Sequence, residues 1–346
     1  MKHLIILFLI WATVAGTGCG GGETPDSQGS TAAPPTHEAV DAALATAEDL
    51  FHSADNVRAE AVLVRLIERA PRDPRARELY AMVLLSRAAE AREAGDVAGE
   101  RVLLTQAHGQ YAVLVEMRPQ SAGLRQSAGE VAQMAGLPEQ ALAHYQEARR
   151  LSPGETKPVF FAAQAMIELG RLDDAKAALH EALEIDSDEP MVHASLGNLL
   201  AEQGDFERAL SHIAEARTID PGQVTYRVIE ASIHRRSGHP AKAIELLMPL
   251  SDAHRAREVV ASELAASFLA SDQPDRAAEA WSLMFEAQRV GARAAYAAAQ
   301  AGLAVLEAGE RERAWLWLQQ ARRASAGIDV PELHTLEQAI ASSAQR

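Results

Sequence analysis

An alanine returns every 34 residues through the middle of the chain, at Ala141, Ala175, Ala209, Ala243 and Ala277. A glycine stands five residues before four of them, at Gly136, Gly170, Gly204 and Gly238. An apolar or aromatic residue stands four after each, at Tyr145, Leu179, Ile213, Leu247 and Trp281. A strict period of this length points to one helix–turn–helix unit copied and stacked, each unit burying its apolar face against the next. It argues against a single closed core and favours a binding scaffold over an enzyme, without saying what is bound.

Ala, Leu, Glu, Arg and Gln dominate and aromatics are 5% of residues, a composition that favours helix throughout. No run alternates Val, Ile and Thr, so no sheet is expected. The net charge of −15 argues against a nucleic-acid partner, which needs a basic stripe for the phosphate backbone. An acidic, solvated surface is also the ordinary state of a soluble helical protein.

The first residues read as an export signal. Lys2 supplies a positive start, Leu4 to Val14 is apolar, and the small residues Ala15, Gly16, Thr17 and Gly18 follow. The apolar run is too short to span a bilayer comfortably. Cys19, the only cysteine of the chain, comes next and so has no internal disulfide partner. Residues 20–36 (GGGETPDSQGSTAAPPT) have almost nothing apolar to bury and are expected to be a disordered tether within 19–38. The segment 1–18 plus Cys19 resembles a bacterial lipoprotein signal, which implies lipidation of Cys19; Thr17 and Gly18 suit that pattern and Gly16 departs from it. The alternative is ordinary cleavage after Ala15, leaving a free thiol. Gly20 rather than Asp after the cysteine favours sorting to the outer membrane, facing the periplasm.

The recurring residues resemble the tetratricopeptide repeat (TPR) family. The clearest copy runs from Pro190 to Gln223, with Leu196-Gly197, Leu200, Gly204, Ala209, Ile213, Ala216 and Pro221 in the family's places. Gly197 and Ala209 are small where two helices cross, Gly204 ends the first helix in a left-handed conformation, and Pro221 separates one unit from the next. Further copies start at Ala122, Thr156, Val224 and Glu258, the last with Asp272 in the glycine place. Towards the N-terminus Ala59 and Ala107 lie 48 apart, which is 14 more than the period. Fourteen residues are about four helical turns, so 74–119 is expected to be an elongated hairpin turning at Gly95-Asp96, a loop insertion being the alternative. The resemblance implies an all-α, right-handed superhelical α-solenoid of stacked antiparallel helix pairs. It gives about eight units over 39–325 and a capping helix in 326–346 carrying Leu333, Leu336 and Ile340. The bulky residue the family places fourth in the repeat is replaced here at Arg125, His193 and Arg227.

No catalytic or metal motif stands out: there is no His-Glu-x-x-His, no P-loop and no nucleophile elbow. His234 and His239 are five apart, and His144 and His212 sit two units apart, neither a ligand spacing. No enzyme activity, cofactor or metal is expected. The resemblance implies peptide binding on the surface of the first helices. It places Lys157, Phe160, Gln164, Met191, Asn198, Glu202, Ser232, Arg235 and Arg236 there. Asn198 and Gln164 could hydrogen-bond a peptide backbone, Phe160 and Met191 could bury side chains, and Arg235 and Arg236 could meet a carboxylate. The expected function is an exported, lipid-anchored scaffold that binds a protein or peptide in the cell envelope. The alternative is an obligate structural subunit of a secretion, pilus or outer-membrane assembly complex.

Overall fold

The computed structural model describes residues 35–343; the signal segment, Cys19 and nearly all of the tether lie outside them. The described residues contain helices and no strand, and none of these helices is long and apolar enough to cross a membrane. They fall into two compact units, 35–153 and 154–343.

The first unit holds three helix pairs: α1 (His37–His52) with α2 (Asn56–Arg69), α3 (Pro74–Glu93) with α4 (Val97–Met117), and α5 (Ala122–Met134) with α6 (Pro138–Leu151). α1 takes in His37 and Glu38, two residues assigned to the tether from sequence. The reason is local: the Thr36 hydroxyl accepts the Ala39 N–H at 3.3 Å and caps the helix there. The middle pair is the long one, with helices of 20 and 21 residues, and Gly95 takes φ +78° between them.

The second unit holds α7 (Thr156–Glu168), α8 (Leu172–Ile185), α9 (Pro190–Glu202), α10 (Phe206–Ile219), α11 (Val224–Arg236) and α12 (Pro240–Leu247). The short α13 (Asp252–Arg255) follows, then α14 (Glu258–Leu269), α15 (Pro274–Gln288), α16 (Ala292–Glu307), α17 (Arg311–Ser325) and α18 (Pro331–Ser343). Starts are set by proline in the first turn, at Pro190, Pro240, Pro274 and Pro331, or by a side-chain cap, as where Asp205 accepts the Arg208 N–H. α12 stops at Leu247 because Pro249 cannot continue it, so this second helix has 8 residues where α8 and α10 have 14.

The recurring alanines are the crossing points. All five are 0% exposed, and Leu179, Ile213 and Leu247 beside them are equally buried. A Cβ added at Gly197 would lie 2.7 Å from Ile213 Cδ1 and 3.1 Å from the Ala209 carbonyl oxygen, so α9 and α10 touch backbone to side chain there. Asp272, in the place where the other units carry glycine, holds the same left-handed turn at φ +56°. α18 lays Leu333, Leu336 and Ile340 into the last core, with Leu336 over Gly302 of α16.

Candidate functional site

The first helices α7, α9, α11 and α14 of the second unit carry the residues assigned to binding from sequence, and the structure divides those residues into two groups. One group ties neighbouring first helices together. Gln164 Nε2 on α7 donates to Ser195 Oγ on α9 at 2.7 Å. Arg236 Nη2 on α11 donates to the Ala201 carbonyl on α9 at 2.9 Å, beside the Gly204 N–H that the same oxygen accepts at 3.0 Å. Arg235 Nε and Nη2 donate to the two carboxylate oxygens of Glu263 on α14 at 2.7 and 3.1 Å. This fork is charge-assisted and its acceptor is 8% exposed, so Arg235 already has its carboxylate and does not offer a free cation to a ligand. Glu263 holds the Arg235 guanidinium above its ordinary range. Phe160 is also a structural residue: it is 6% exposed and packs edge-to-face on Phe161 with ring centroids 5.3 Å apart.

The other group faces outward. Lys157 and Glu202 are exposed, and Met191, Asn198 and Ser232 are half-buried. Asn198 and Glu202 follow Met191 by seven and eleven residues, so the three share one face of α9. Lys157 on α7 and Ser232 on α11 hold the same repeat places as Met191 and Asn198, which lays out a mixed polar strip with donors, acceptors and one thioether. Such a strip can hydrogen-bond an extended backbone, but it carries no nucleophile beside a base and no convergent acid pair.

Sequence reading missed two imidazole pairs. In the first unit His108 Nε2 and His144 Nε2 lie 3.4 Å apart. Burial, then His108, then Arg125 push His144 down to about 4. In the second unit His193 Nε2 donates to the Ser187 carbonyl at 3.0 Å, which leaves His193 Nδ1 to accept from His212 Nδ1 at 3.1 Å. Burial lowers His212 first, with His193 and His180 adding to it. The available signal was the substitution of the bulky residue at Arg125 and His193: a polar side chain there needs a polar neighbour from the second helix. Among the described residues, no three or more His, Cys, Asp or Glu converge as metal ligands would.

Comparisons with known proteins agree with this geometry. The tetratricopeptide repeat family model matches residues 132–199. A tetratricopeptide repeat protein from Parabacteroides merdae ATCC 43184 is 16% identical with a TM-score of 0.50, over 75% of this chain and 98% of that one. The Cut9–Hcn1 hetero-tetramer of the APC/C is 15% identical with a TM-score of 0.51, over 86% of this chain and 55% of that one, so this protein spans about half the length of that chain. Curated protein sequences give no match. At these identities the structural likeness speaks to the fold. Repeats of this kind form scaffolds for protein–protein interaction and are generally not catalytic. Residues 132–199 match the tetratricopeptide repeat family, and the described residues of each unit are built as stacked helix pairs of that fold.

Proposed function

We propose that the protein is an exported, lipid-anchored scaffold of a bacterial cell envelope that docks an extended segment of another envelope protein on the first helices of residues 154–343. The observation that carries the reading is the outward polar strip of Lys157, Met191, Asn198, Glu202 and Ser232. It sits on helices held side by side by Gln164–Ser195, Arg236–Ala201 and Arg235–Glu263. A strip on helices fixed in this way loses little conformational freedom when a ligand is laid along it. Cys19 directly behind an apolar run supports the anchor, and the Gly/Ser/Pro stretch after it supports a tether that holds the body off an outer membrane.

Two measurements test the reading together. Cys19→Ser is expected to move the protein from the membrane fraction to the soluble fraction; unchanged fractionation overturns the anchor. A photo-crosslinking residue at Asn198 or Ser232 is expected to capture one envelope protein in the native cell. The same residue at exposed Arg311 should not. Equal capture at all three positions overturns the docking surface.

A further inference from the structure

A cleft of about 500 Å3 opens in the second unit, lined by Arg217 of α10, Arg227 and His234 of α11, and Lys242, Glu245 and Leu246 of α12. It is separate from the outward strip on α11. Arg227 and His234 are seven residues apart and share a helix face, whereas Ser232, Arg235 and Arg236 lie about 80–180° around the helix from them. The separation also shows in the contacts, since Arg235 reaches α14 while the cleft is closed by α10 and α12.

The cleft brings Arg227 and Lys242 into one lining. Elsewhere in this unit some surface arginines are matched locally, as in Arg171–Asp174, Arg208–Asp205 and Arg313–Asp275. In the cleft Arg217 is matched by Glu230, but Arg227 and Lys242 form no ion pair among the described residues. Two unmatched cations converging on one opening in a chain of net charge −15 are complementary to an anionic ligand. The remaining lining narrows its class. Glu245 repels a bare phosphate yet can accept a backbone N–H, and Leu246 offers an apolar surface that an inorganic anion cannot use. An anionic membrane surface would meet the repulsion of the whole acidic body.

We propose that this cleft is a second docking site, for an acidic peptide segment of a partner protein, with its carboxylates on Arg227 and Lys242 and a neighbouring apolar side chain on Leu246. The site stands independently of the docking strip on the first helices.

The test uses the purified full chain in detergent and a fluorescein-labelled ten-residue peptide of alternating Glu-Glu-Leu, read by anisotropy. The peptide is expected to bind saturably and more weakly as salt rises. A Gln-Gln-Leu counterpart, and the variant Arg227→Gln/Lys242→Gln, are each expected to lose about tenfold in affinity. Arg311→Gln/Arg323→Gln removes the same charge elsewhere and is expected to change nothing. Should the double variant melt early by circular dichroism, Lys242→Glu on the exposed rim serves in its place and should weaken binding in the same direction. The proposal is overturned by the absence of saturable binding, or by equal affinity in the cleft variants. It is also overturned if inorganic phosphate displaces the peptide at matching concentration, or if phosphatidylglycerol vesicles bind through Arg227 and Lys242 while the peptide does not.

Discussion

The same substitution, glycine to alanine, should change sign between two helices of this protein. Gly109 lies inside α4, and a Cβ built there meets nothing within 4 Å. Alanine there gains helix propensity and restricts the unfolded chain, so Gly109→Ala should stabilise by about 0.5–1 kcal/mol. Gly197 lies inside α9, where the new Cβ would sit 2.7 Å from Ile213 Cδ1, 2.8 Å from Cγ1 and 3.1 Å from the Ala209 carbonyl oxygen. Ile213 is 0% exposed and so cannot swing into solvent to make room. The overpacking cost is about 1–3 kcal/mol, which exceeds or cancels the propensity gain. Because that gain is common to both sites, the difference between the two variants isolates the crossing at about 1–3 kcal/mol. Adding Ile213→Val to Gly197→Ala removes the nearest clashing atom. The pair should then be less destabilised than the sum of the singles, by about 1 kcal/mol. One global unfolding free energy is poorly defined for a repeat array, so the assay is native-state hydrogen exchange of the α4 and α9–α10 amides. If Gly197→Ala protects its amides as Gly109→Ala does, or the double variant is additive, the close crossing of α9 on α10 is wrong.

Three further outcomes are expected. His144 is held near 4 in the folded state against an ordinary 6.5, so the unfolded chain binds the extra proton first. The contribution of the pair is complete above about 6.5 and lost as pH falls towards 4. Urea midpoints of the first unit should therefore drop more steeply over that window in the native protein than in His144→Gln, and equal slopes would refute it. Arg235→Ala leaves the 8%-exposed Glu263 without its counter-ion and should cost about 1–3 kcal/mol, whereas Arg235→Met/Glu263→Leu should recover most of it; failure of the paired change to recover stability would show that the ion pair is not the cause. Leu336→Ala empties a site that is 0% exposed under α18 and should cost about 2–4 kcal/mol, seen as faster exchange in α16–α18 alone.

The helix pairs were legible because their determinants are local. First helices begin at 122, 156, 190, 224 and 258, and the alanine, the left-handed residue and the apolar knob of each unit follow at fixed steps. Even Asp272 is readable, since aspartate tolerates the conformation its glycine counterparts adopt. The candidate site was less legible. Its ties join residues 28 to 35 apart, as in Arg235–Glu263, Gln164–Ser195 and Arg236–Ala201, and depend on the register between neighbouring helices. An arginine that faces a partner and one that faces a buried glutamate have the same place in the repeat. Pro249 is visible in the sequence, but it falls outside the positions that carry the period, so the truncation of α12 is a structural finding.

That truncation has a bearing on how the array fails. Stability in stacked repeats passes from neighbour to neighbour, and a second helix of 8 residues has roughly half the length of α10 over which to pass it. Local opening of the second unit is therefore expected to include the short α12 and the turn after it. Three of the six residues lining the cationic cleft sit on this same helix. A ligand bound there would brace this shortened helix against α10 and α11, and occupancy would be readable from a distance as slower opening of the repeats on either side.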